Sequence, residues 1–346
     1  MKAAVLYGQQ DIRYEEVATP KLDNEEILIK VKCTGICGSD LPRVLGKGAH
    51  YYPIVLGHEF SGEVVEIGKS VKKVAIGDRI AGAPLIPCHQ CLDCLQGDYA
   101  QCKHYSFIGS RENGSWAQFV KIPEKNGVKL PPGATFEQGV FFEPLTVAIH
   151  GLFLMDFKGG VEVAIIGMGT IGLLTLQCAR NLGAKRITVF DIDDERLTTA
   201  KEYGADSCLN TGNEGFRETV LNETKGRGFE MVIDTAGVQV TQKLCLEIAE
   251  NKGKVMFIST PTSNLTLSPQ EFEQINRKEL TLQGSWMSYS PPFPGEEWEL
   301  AGYYLSKSLV SIDRLIDRII PLSEIESAVK DLAIAGKVKG KILLKG

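Results

Sequence analysis

The chain has 346 residues, 43% of them hydrophobic, and a formal net charge of -5. This length favours two domains, and a weak negative charge without long blocks of like charge excludes an extended nucleic-acid-binding surface. The most apolar stretch, 161–179, contains Glu162 and three glycines, so we do not expect it to cross a membrane. Together these features predict a soluble, cytoplasmic protein that acts on small molecules.

The first part of the chain, to about residue 150, consists of short β-type runs separated by glycine, proline and aspartate. Residues 1–7 form an apolar run that ends at Gly8, which is typical of a strand and not of a signal peptide. Further β-type runs cover 27–31 and 60–67. We therefore expect a β-rich, irregular domain in this half.

Four cysteines stand within fifteen residues in this domain: Cys88, Cys91, Cys94 and Cys102. Thiolates at this spacing can surround one tetrahedral metal ion, and their softness favours zinc. Such a site has no open coordination position, so it would stabilise the fold and take no part in catalysis. Disulfides in an exported protein are the alternative, which the absence of a recognisable signal peptide disfavours.

From about residue 160 the pattern becomes strand, turn, helix, strand. An apolar strand at 161–166 precedes a glycine turn, a helix at 173–182 and a strand at 187–190. Later apolar runs at 231–233 and 254–258 would extend a parallel sheet with right-handed crossovers. The last β-type run, 341–344, is compatible with either domain.

The glycine turn has the spacing Gly167-x-Gly169-x-x-Gly172, with Thr170 and Ile171 between the last two glycines. Glycines at this point allow a tight turn, a close approach of the backbone to a pyrophosphate, and close packing of helix on strand. Asp191 ends the next strand, where a carboxylate binds ribose hydroxyls and repels a 2′-phosphate, so NAD is favoured over NADP. Arg196 is a mild argument for NADP, because an arginine near the ribose can bind a 2′-phosphate. For the glycines, the alternative is that they only form a turn and bind no cofactor.

Candidate ligands for a catalytic metal also occur in the first half: Cys37, His58, Glu59 and Glu143. Three protein ligands and one open position define a catalytic zinc site, and zinc can stabilise an alkoxide before hydride leaves. Taken singly, each residue has an ordinary structural explanation, as a buried thiol, a core histidine or a solvated charge. Spacing alone leaves these alternatives open.

This chain resembles the zinc-dependent medium-chain dehydrogenases in the order and spacing of its motifs, which lie at 37–40, 57–62, 88–102, 143–144 and 167–172. Glu143 stands where alcohol dehydrogenases of this family often have a cysteine ligand, and a glutamate there is similar to the polyol dehydrogenase branch. The resemblance implies an α/β protein with a GroES-like catalytic domain, residues 1–148 and 288–346, and a Rossmann NAD-binding domain, residues 149–287. It also implies two zinc ions per chain, one catalytic and one structural, and a homodimer or homotetramer.

The resemblance also implies roles for individual residues. Cys37, His58 and Glu143 would bind the catalytic zinc, with Glu59 as an alternate ligand or a neighbour of the ligands. Asp40 would orient His58, and Ser39 would receive the proton of the substrate hydroxyl. The chain departs from many alcohol dehydrogenases at Pro42, where they have a relay histidine, and His50 is the nearest candidate to replace it.

Segments outside these motifs resemble polyol-phosphate dehydrogenases of the same branch, at 38–43, 48–53, 107–111 and 284–290. A phosphorylated substrate requires a dianion site, and arginine binds phosphate in a bidentate manner. The candidates for contact with a polyol phosphate are Arg43, Arg111, His50, Ser110, Lys47, Tyr51 and Trp286. For the side chains, the alternatives are that the cations are exposed and contact no ligand and that the aromatic residues pack in the core. For the function, the alternatives are another substrate, such as sorbitol or arabitol phosphate, and a non-catalytic NAD-binding protein.

Overall fold

The structure is a computed structural model that describes residues 1–334 and 336–346. It divides into two compact units, one formed by Met1–Glu143 with Tyr289–Gly346 and the other by Pro144–Ser288. The domain boundaries predicted above, at 148/149 and 287/288, stay a prediction.

The strands, in chain order, are β1 (Lys2–Gly8), β2 (Asp11–Glu16), β3 (Glu26–Gly35), β4 (Ile54–Val55), β5 (Phe60–Ile67), β6 (Arg79–Gly82), β7 (Leu85–Ile86), β8 (Ser106–Phe107), β9 (Phe119–Pro123), β10 (Gly127–Lys129), β11 (Glu162–Ile166), β12 (Arg186–Asp191), β13 (Ser207–Asn210), β14 (Phe229–Asp234), β15 (Ala249–Phe257), β16 (Thr281–Gly284), β17 (Ile316–Pro321) and β18 (Lys341–Lys345).

The α-helices are α1 (Leu41–Leu45), α2 (Leu92–Gln96), α3 (Phe136–Val140), α4 (Phe142–Leu154), α5 (Thr170–Asn181), α6 (Asp194–Glu202), α7 (Phe216–Glu223), α8 (Gln239–Ile248), α9 (Pro269–Arg277), α10 (Glu296–Ser306) and α11 (Ile325–Leu332). Short 3₁₀ segments cover Gly38–Asp40, Tyr99–Gln101, Glu124–Asn126 and Leu322–Glu324. Within the described parts of the chain, no helix is both long enough and apolar enough to cross a bilayer.

The first unit contains the β-rich half and the C-terminal segment. Its largest sheet has the order β10-β6-β5-β3-β18-β17, and β9 also pairs with β3. A smaller sheet has the order β2-β1-β4, and β7 pairs with β8. Apolar residues from β1, β4, α11 and β18 pack into one core, and residues from β3, β5, β6 and β9 pack into another. This agrees with the β-rich domain that the sequence predicted and with the GroES-like catalytic domain that the resemblance implied.

The last strand joins this first unit, which the sequence left open. β18 pairs antiparallel with β3, at Leu343 with Gly35, and parallel with β17. Its residues Ile342, Leu343 and Leu344 are fully buried. Because β18 is an interior strand, its first residue, Lys341, is brought into the protein interior.

The second unit is a six-stranded parallel sheet with the order β13-β12-β11-β14-β15-β16. In chain order this is 3-2-1-4-5-6, the order of a doubly wound Rossmann sheet. The helix after β11 begins at Thr170, three residues before the predicted start at 173. The difference arises because Gly172 lies in the first turn of the helix, whereas the sequence predicted that it belongs to the glycine turn.

Candidate active site

The four cysteines of the lobe at 88–102 surround a common centre. Sγ of Cys88 lies 3.9 Å from Sγ of Cys94, and Sγ of Cys91 lies 3.8 Å from Sγ of Cys102. Sulfur atoms bound tetrahedrally to one zinc, at Zn–S distances of about 2.3 Å, are about 3.8 Å apart. All nine cysteines of the chain are free thiols. The lobe therefore fits a four-thiolate zinc site and contains no disulfide.

Within the lobe, the surroundings of Cys88 favour its thiolate form, whereas the surroundings of Cys94 favour its protonated form. The amide groups of Gln90 and Cys91 donate to Sγ of Cys88, and these bonds lower the pKa of Cys88 to about 6. Burial raises the pKa of Cys94 to about 12. A metal ion that binds all four sulfurs would have to displace the proton from the buried thiol, so binding would release protons.

A second group of metal-ligating side chains lies in the same unit. One ligand atom from each of Cys37, His58 and Glu59 lies within 4.8 Å of the other two. Cys37 immediately precedes the 3₁₀ turn Gly38–Asp40, and His58 and Glu59 immediately precede β5. A thiolate, an imidazole and a carboxylate are common zinc ligands, so the donor set fits zinc.

Asp40 lies next to the imidazole of this group. Its Oδ1 is 3.4 Å from Nδ1 of His58, and its Oδ2 accepts a hydrogen bond of 3.1 Å from the amide of Cys37. Both Asp40 and His58 are buried. A carboxylate beside Nδ1 leaves Nε2 as the metal-binding nitrogen and holds the ring in one orientation.

Glu143 is the second residue of α4 and is not a member of the 4.8 Å group. It is nevertheless electrostatically coupled to that group. Burial raises the pKa of Glu143 to about 7, the charge of His58 opposes this rise, and the charge of Glu59 adds to it. The structure therefore brings Glu59 close to Cys37 and His58, with Glu143 near enough to sense the same charges.

Ser39 and Arg43 are joined on the exposed side of the metal-ligand loop. Nη1 of Arg43 donates to the carbonyl oxygen of Ser39 and, at 3.3 Å, to its Oγ. The same nitrogen lies 3.7 Å from Oδ1 of Asp40. Nε of Arg43 is buried and has no hydrogen-bond partner. This leaves Arg43 with an unused donor beside the candidate metal site.

Two arginines from distant parts of the sequence act on the same histidine. Partial desolvation lowers the pKa of His50, and the positive charges of Arg111 and Arg43 lower it further. Arg111 stacks on Tyr105, with its guanidinium carbon 4.5 Å from the ring centre, and its carbonyl oxygen accepts a weak bond of 3.4 Å from the hydroxyl of Tyr51. Within the described residues, no carboxylate forms an ion pair with Arg111. The positive charges of Arg43 and Arg111 thus both act on His50, and these three side chains are named the cationic cluster.

The remaining candidates for substrate contact differ in their surroundings. Ser110 is buried, and Tyr51 is 43% exposed. Lys47 follows α1 at the surface. Trp286 lies in the second unit, is 52% exposed and lines a cavity of about 320 Å³ together with residues of 257–261.

The glycine turn of the second unit connects β11 to α5. Gly167 has a φ of +91°, which favours glycine, and a Cβ on Gly172 would lie 1.8 Å from the carbonyl oxygen of Gly167. A Cβ on Gly169 would meet nothing within 4 Å. The helix therefore packs directly against the turn at Gly172, whereas the space beside Gly169 is empty. A dinucleotide pyrophosphate needs both features, because it binds close to the backbone at the start of the helix.

Asp191 ends β12 and connects to this turn. Its Oδ2 accepts a hydrogen bond of 2.6 Å from the amide of Met168, and its Oδ1 accepts bonds from the amides of Ile192 and Asp193. Nη1 of Arg196 lies 4.0 Å from Oδ2 of Asp191. The carboxylate is thus fixed beside the turn, with one arginine at its edge.

Three residues that sequence reasoning missed complete these sites. Lys341 forms a buried ion pair with Glu59. The hydroxyl of Thr235 donates at 2.6 Å to the carbonyl oxygen of Gly167, and Tyr105 carries the stacked guanidinium of Arg111. A lysine that opens an otherwise apolar run was the one signal for Lys341, whereas Thr235 and Tyr105 had none.

Comparison with known proteins agrees with this architecture. Residues 23–132 match the model of the alcohol dehydrogenase GroES-like domain, and residues 170–301 match that of the zinc-binding dehydrogenases. The chain is 41% identical to galactitol 1-phosphate 5-dehydrogenase of Escherichia coli strain K12 over 99% of both chains, and 32% identical to D-arabitol-phosphate dehydrogenase of Enterococcus avium over 96% of this chain and 94% of that one. The crystal structure of galactitol-1-phosphate dehydrogenase from Escherichia coli superposes with a TM-score of 0.96, at 40% identity and full coverage of both chains.

The chain belongs to the zinc-dependent medium-chain dehydrogenases, in the polyol dehydrogenase branch. It is an oxidoreductase of the zinc-dependent alcohol dehydrogenase type. The resemblance to this family that the sequence motifs indicated is thereby confirmed.

Proposed function

We propose that the protein oxidises the secondary hydroxyl at carbon 5 of galactitol 1-phosphate with NAD, giving tagatose 6-phosphate, NADH and a proton. The observation that carries the proposal is the cationic cluster of Arg43, His50 and Arg111 next to the candidate metal ligands. Among polyol dehydrogenases, a substrate with a phosphate dianion is the one that needs such a cluster.

The cluster has donors available for a phosphate. Arg111 has no ion-pair partner among the described residues, and Nε of Arg43 lacks any hydrogen-bond partner. A buried, unused donor is unfavourable unless a ligand supplies an acceptor. A phosphate would satisfy both arginines and would favour protonation of His50, whose pKa these arginines lower in the ligand-free protein.

The candidate metal residues lie close to this cluster. Cys37, His58 and Glu143 would hold the zinc ion, with Glu59 next to them. When bound, zinc would supply a Lewis acid that lowers the pKa of the substrate hydroxyl. Oγ of Ser39 would receive the hydroxyl proton, and Arg43 would keep Ser39 in place through the bonds that it donates to this residue. His50 lies within the electrostatic reach of Arg43 and would pass the proton towards solvent.

For the cofactor, the second unit supports NAD. The fixed carboxylate of Asp191 would accept hydrogen bonds from the adenosine ribose and would repel a 2′-phosphate. Removing a hydrogen bond to a charged group costs ~1.5–3 kcal/mol, so Asp191→Asn should lower kcat/KM for NAD by at least about tenfold. Asp194→Asn is the matched control, because Asp194 is exposed and binds Asn210 instead of the glycine turn. A wild-type protein that prefers NADP would contradict the proposal for the cofactor.

The test of the substrate is a comparison of initial rates of NAD reduction with galactitol 1-phosphate, galactitol, sorbitol and arabitol phosphate. We expect the highest kcat/KM with galactitol 1-phosphate. Preference for a free polyol would contradict the phosphate site, and preference for another phosphorylated polyol would retain the site but change the substrate. No turnover with any polyol would favour a non-catalytic NAD-binding protein.

The proposal includes a zinc count and an assembly. We expect two zinc ions per chain, one at the four-cysteine lobe and one at the catalytic site, and a homodimer or homotetramer. Metal analysis of the purified protein checks the first, since about one zinc per chain would indicate the lobe alone. Light scattering checks the second.

A further inference from the structure

The peptide group between Gly167 and Met168, in the glycine turn, is held at both ends by side chains from outside the turn. The hydroxyl of Thr235 donates to the carbonyl oxygen of Gly167 at 2.6 Å. On the opposite side, the amide of Met168 donates to Oδ2 of Asp191, also at 2.6 Å. The C=O and N–H of a planar trans peptide point in opposite directions, so these two bonds together fix the orientation of the peptide plane.

The two side chains come from the strands that flank β11 in the sheet, in the order β12-β11-β14. Ile166, the last residue of β11, is paired with Phe190 of β12 and with Asp234 of β14. Asp191 and Thr235 are the next residues along these two neighbouring strands. The parallel register therefore brings one of them to each side of the turn that follows β11.

The hydroxyl of Thr235 occupies a space that the glycines leave open. A Cβ on Gly172 would lie 2.9 Å from Oγ1 of Thr235, and a Cβ on Gly167 would lie 3.1 Å from it. The same hydroxyl lies 3.0 Å from the carbonyl oxygen of Ile166, so its single proton makes the shorter bond to Gly167. A carbon atom needs roughly 3.3 Å from a carbonyl oxygen, so a methyl group could not replace this hydroxyl without moving the turn.

The backbone on both sides of Thr235 is fixed as well. The amide of Thr235 donates to the carbonyl oxygen of Ile166 at 2.9 Å. The buried carboxylate of Asp234 accepts hydrogen bonds of 3.2 Å from the amides of Ala236 and Gly237. The hydroxyl of Thr235 is therefore already aimed at the turn before any cofactor binds.

The bond from Met168 also decides how Asp191 is used. Nη1 of Arg196 lies 4.0 Å from Oδ2 of Asp191, and Nε of Arg196 is buried without a hydrogen-bond partner. If the peptide rotated and withdrew the amide of Met168, this oxygen would be free to turn to Arg196. A carboxylate paired with arginine is a poorer acceptor for a ribose hydroxyl, because the guanidinium already occupies its lone pairs.

We propose that Thr235 is a positioning residue that acts through the peptide of Gly167 and Met168 and holds the carboxylate of Asp191 in the orientation that receives the adenosine ribose of NAD. The inference rests on the NAD site of the proposed function. Thr235 acts through this peptide and does not touch the cofactor.

The test is a calorimetric titration of the purified protein with NAD in the absence of any polyol. Thr235→Val should raise the Kd for NAD by roughly 3–10-fold, which corresponds to the loss of one hydrogen bond. Thr235→Ser keeps the hydroxyl and should bind NAD within about twofold of the wild-type protein. Equal Kd values for the wild-type protein and Thr235→Val would overturn the proposal.

Thr224→Val is the matched control. The hydroxyl of Thr224 donates at 2.7 Å to the carbonyl oxygen of Val220, at the end of α7 in the same unit. This change removes a comparable bond away from the glycine turn, so it should lower the unfolding temperature and leave the Kd for NAD unchanged. A similar rise of the Kd in both valine variants would show a general loss of stability and would overturn the proposal.

Two further measurements separate positioning from direct contact with the cofactor. In the cofactor-free protein, the amide of Met168 should exchange with deuterium faster in Thr235→Val than in Thr235→Ser or the wild-type protein. In a double-mutant cycle, Thr235→Val added to Asp191→Asn should raise the Kd by no more than about twofold, because the bond to the ribose is already weakened.

An amide of Met168 that stays protected in Thr235→Val while the Kd rises would indicate that Thr235 touches NAD itself, which overturns the positioning role. Losses that multiply in the double-mutant cycle would overturn it too. If Thr235→Val does not fold, Thr235→Ala replaces it in every measurement, since alanine removes the hydroxyl without placing a methyl group against the turn.

Failure of the underlying cofactor site would look different. A wild-type protein that does not bind NAD would remove the proposed cofactor and this inference with it. A wild-type protein that binds NAD, but whose affinity Thr235→Val leaves unchanged, would retain the proposed function and remove only the role of Thr235.

Discussion

Oδ1 of Asp40 lies 3.4 Å from Nδ1 of His58, and both side chains are almost completely removed from solvent. Neither atom has a hydrogen-bond partner elsewhere among the described residues, and Nη1 of Arg43 lies farther from the same oxygen of Asp40, at 3.7 Å. The carboxylate is thus the nearest charged group to Nδ1, and it favours the ring orientation in which His58 offers its second nitrogen to a metal.

Replacement of Asp40 should consequently weaken metal binding without removing a ligand. Loss of such a partner of a ligating histidine typically lowers metal affinity by about 10–100-fold, and we expect this range for Asp40→Ala. Asp40→Asn should have a smaller effect, because its amide oxygen can still accept the proton of Nδ1. Chelator competition gives the affinities, and wild-type affinity in Asp40→Ala would refute the role of Asp40.

Removal of one lobe thiol should affect stability more than catalytic chemistry. Cys102 is buried, and its Sγ accepts a hydrogen bond of 3.3 Å from the amide of Cys88. We expect Cys102→Ser to lose one zinc per chain and to destabilise the first unit by about 4 kcal/mol, because loss of a metal is one of the few mechanisms that produce changes of this size. Cys208→Ser is the control, since Cys208 lies in β13 of the second unit. Equal zinc contents in the two variants would argue against a structural zinc.

Arg111 should matter only for phosphorylated substrates. Loss of a charged hydrogen bond to phosphate costs ~1.5–3 kcal/mol, so Arg111→Ala should raise KM for galactitol 1-phosphate by about 10–100-fold. The KM for free galactitol should not change. Arg13→Ala is a matched control, because Arg13 also stacks on a tyrosine, with its guanidinium carbon 4.5 Å from the ring centre of Tyr7. Equal losses on both substrates would count against the phosphate site.

Glu143 should give the protein a characteristic dependence on pH when only the lobe holds metal. Burial raises the pKa of Glu143 to about 7, above the value of 4.5 for an exposed glutamate. A raised pKa in the folded state contributes stability at low pH, and this contribution is lost as pH rises through the folded-state value. The unfolding temperature should therefore decrease as the pH rises from about 5 to about 7.5. This decrease should be steeper in the wild-type protein than in Glu143→Gln. Identical slopes would show that this carboxyl does not titrate as proposed.

Several structural elements could be predicted from the sequence because they depend on short, local patterns of residues. The strand at 60–67 was predicted with the bounds that the structure has, and the glycine turn was placed correctly between its strand and helix. The start of α5 was predicted three residues late, because a glycine inside the first turn of a helix has the same local signal as a glycine in a loop.

The sequence by itself also determined the four-cysteine lobe, the order of the cofactor motif and the residue types of the metal site, since each depends on short spacings and on the chemistry of a few side chains. Only the tertiary structure decided that β18 joins the first unit, that Arg43 and Arg111 act on the same histidine, and that Lys341 holds Glu59. These contacts join residues up to 282 positions apart in the chain. They depend on strand pairing and burial across the whole unit, which no local pattern of residues encodes.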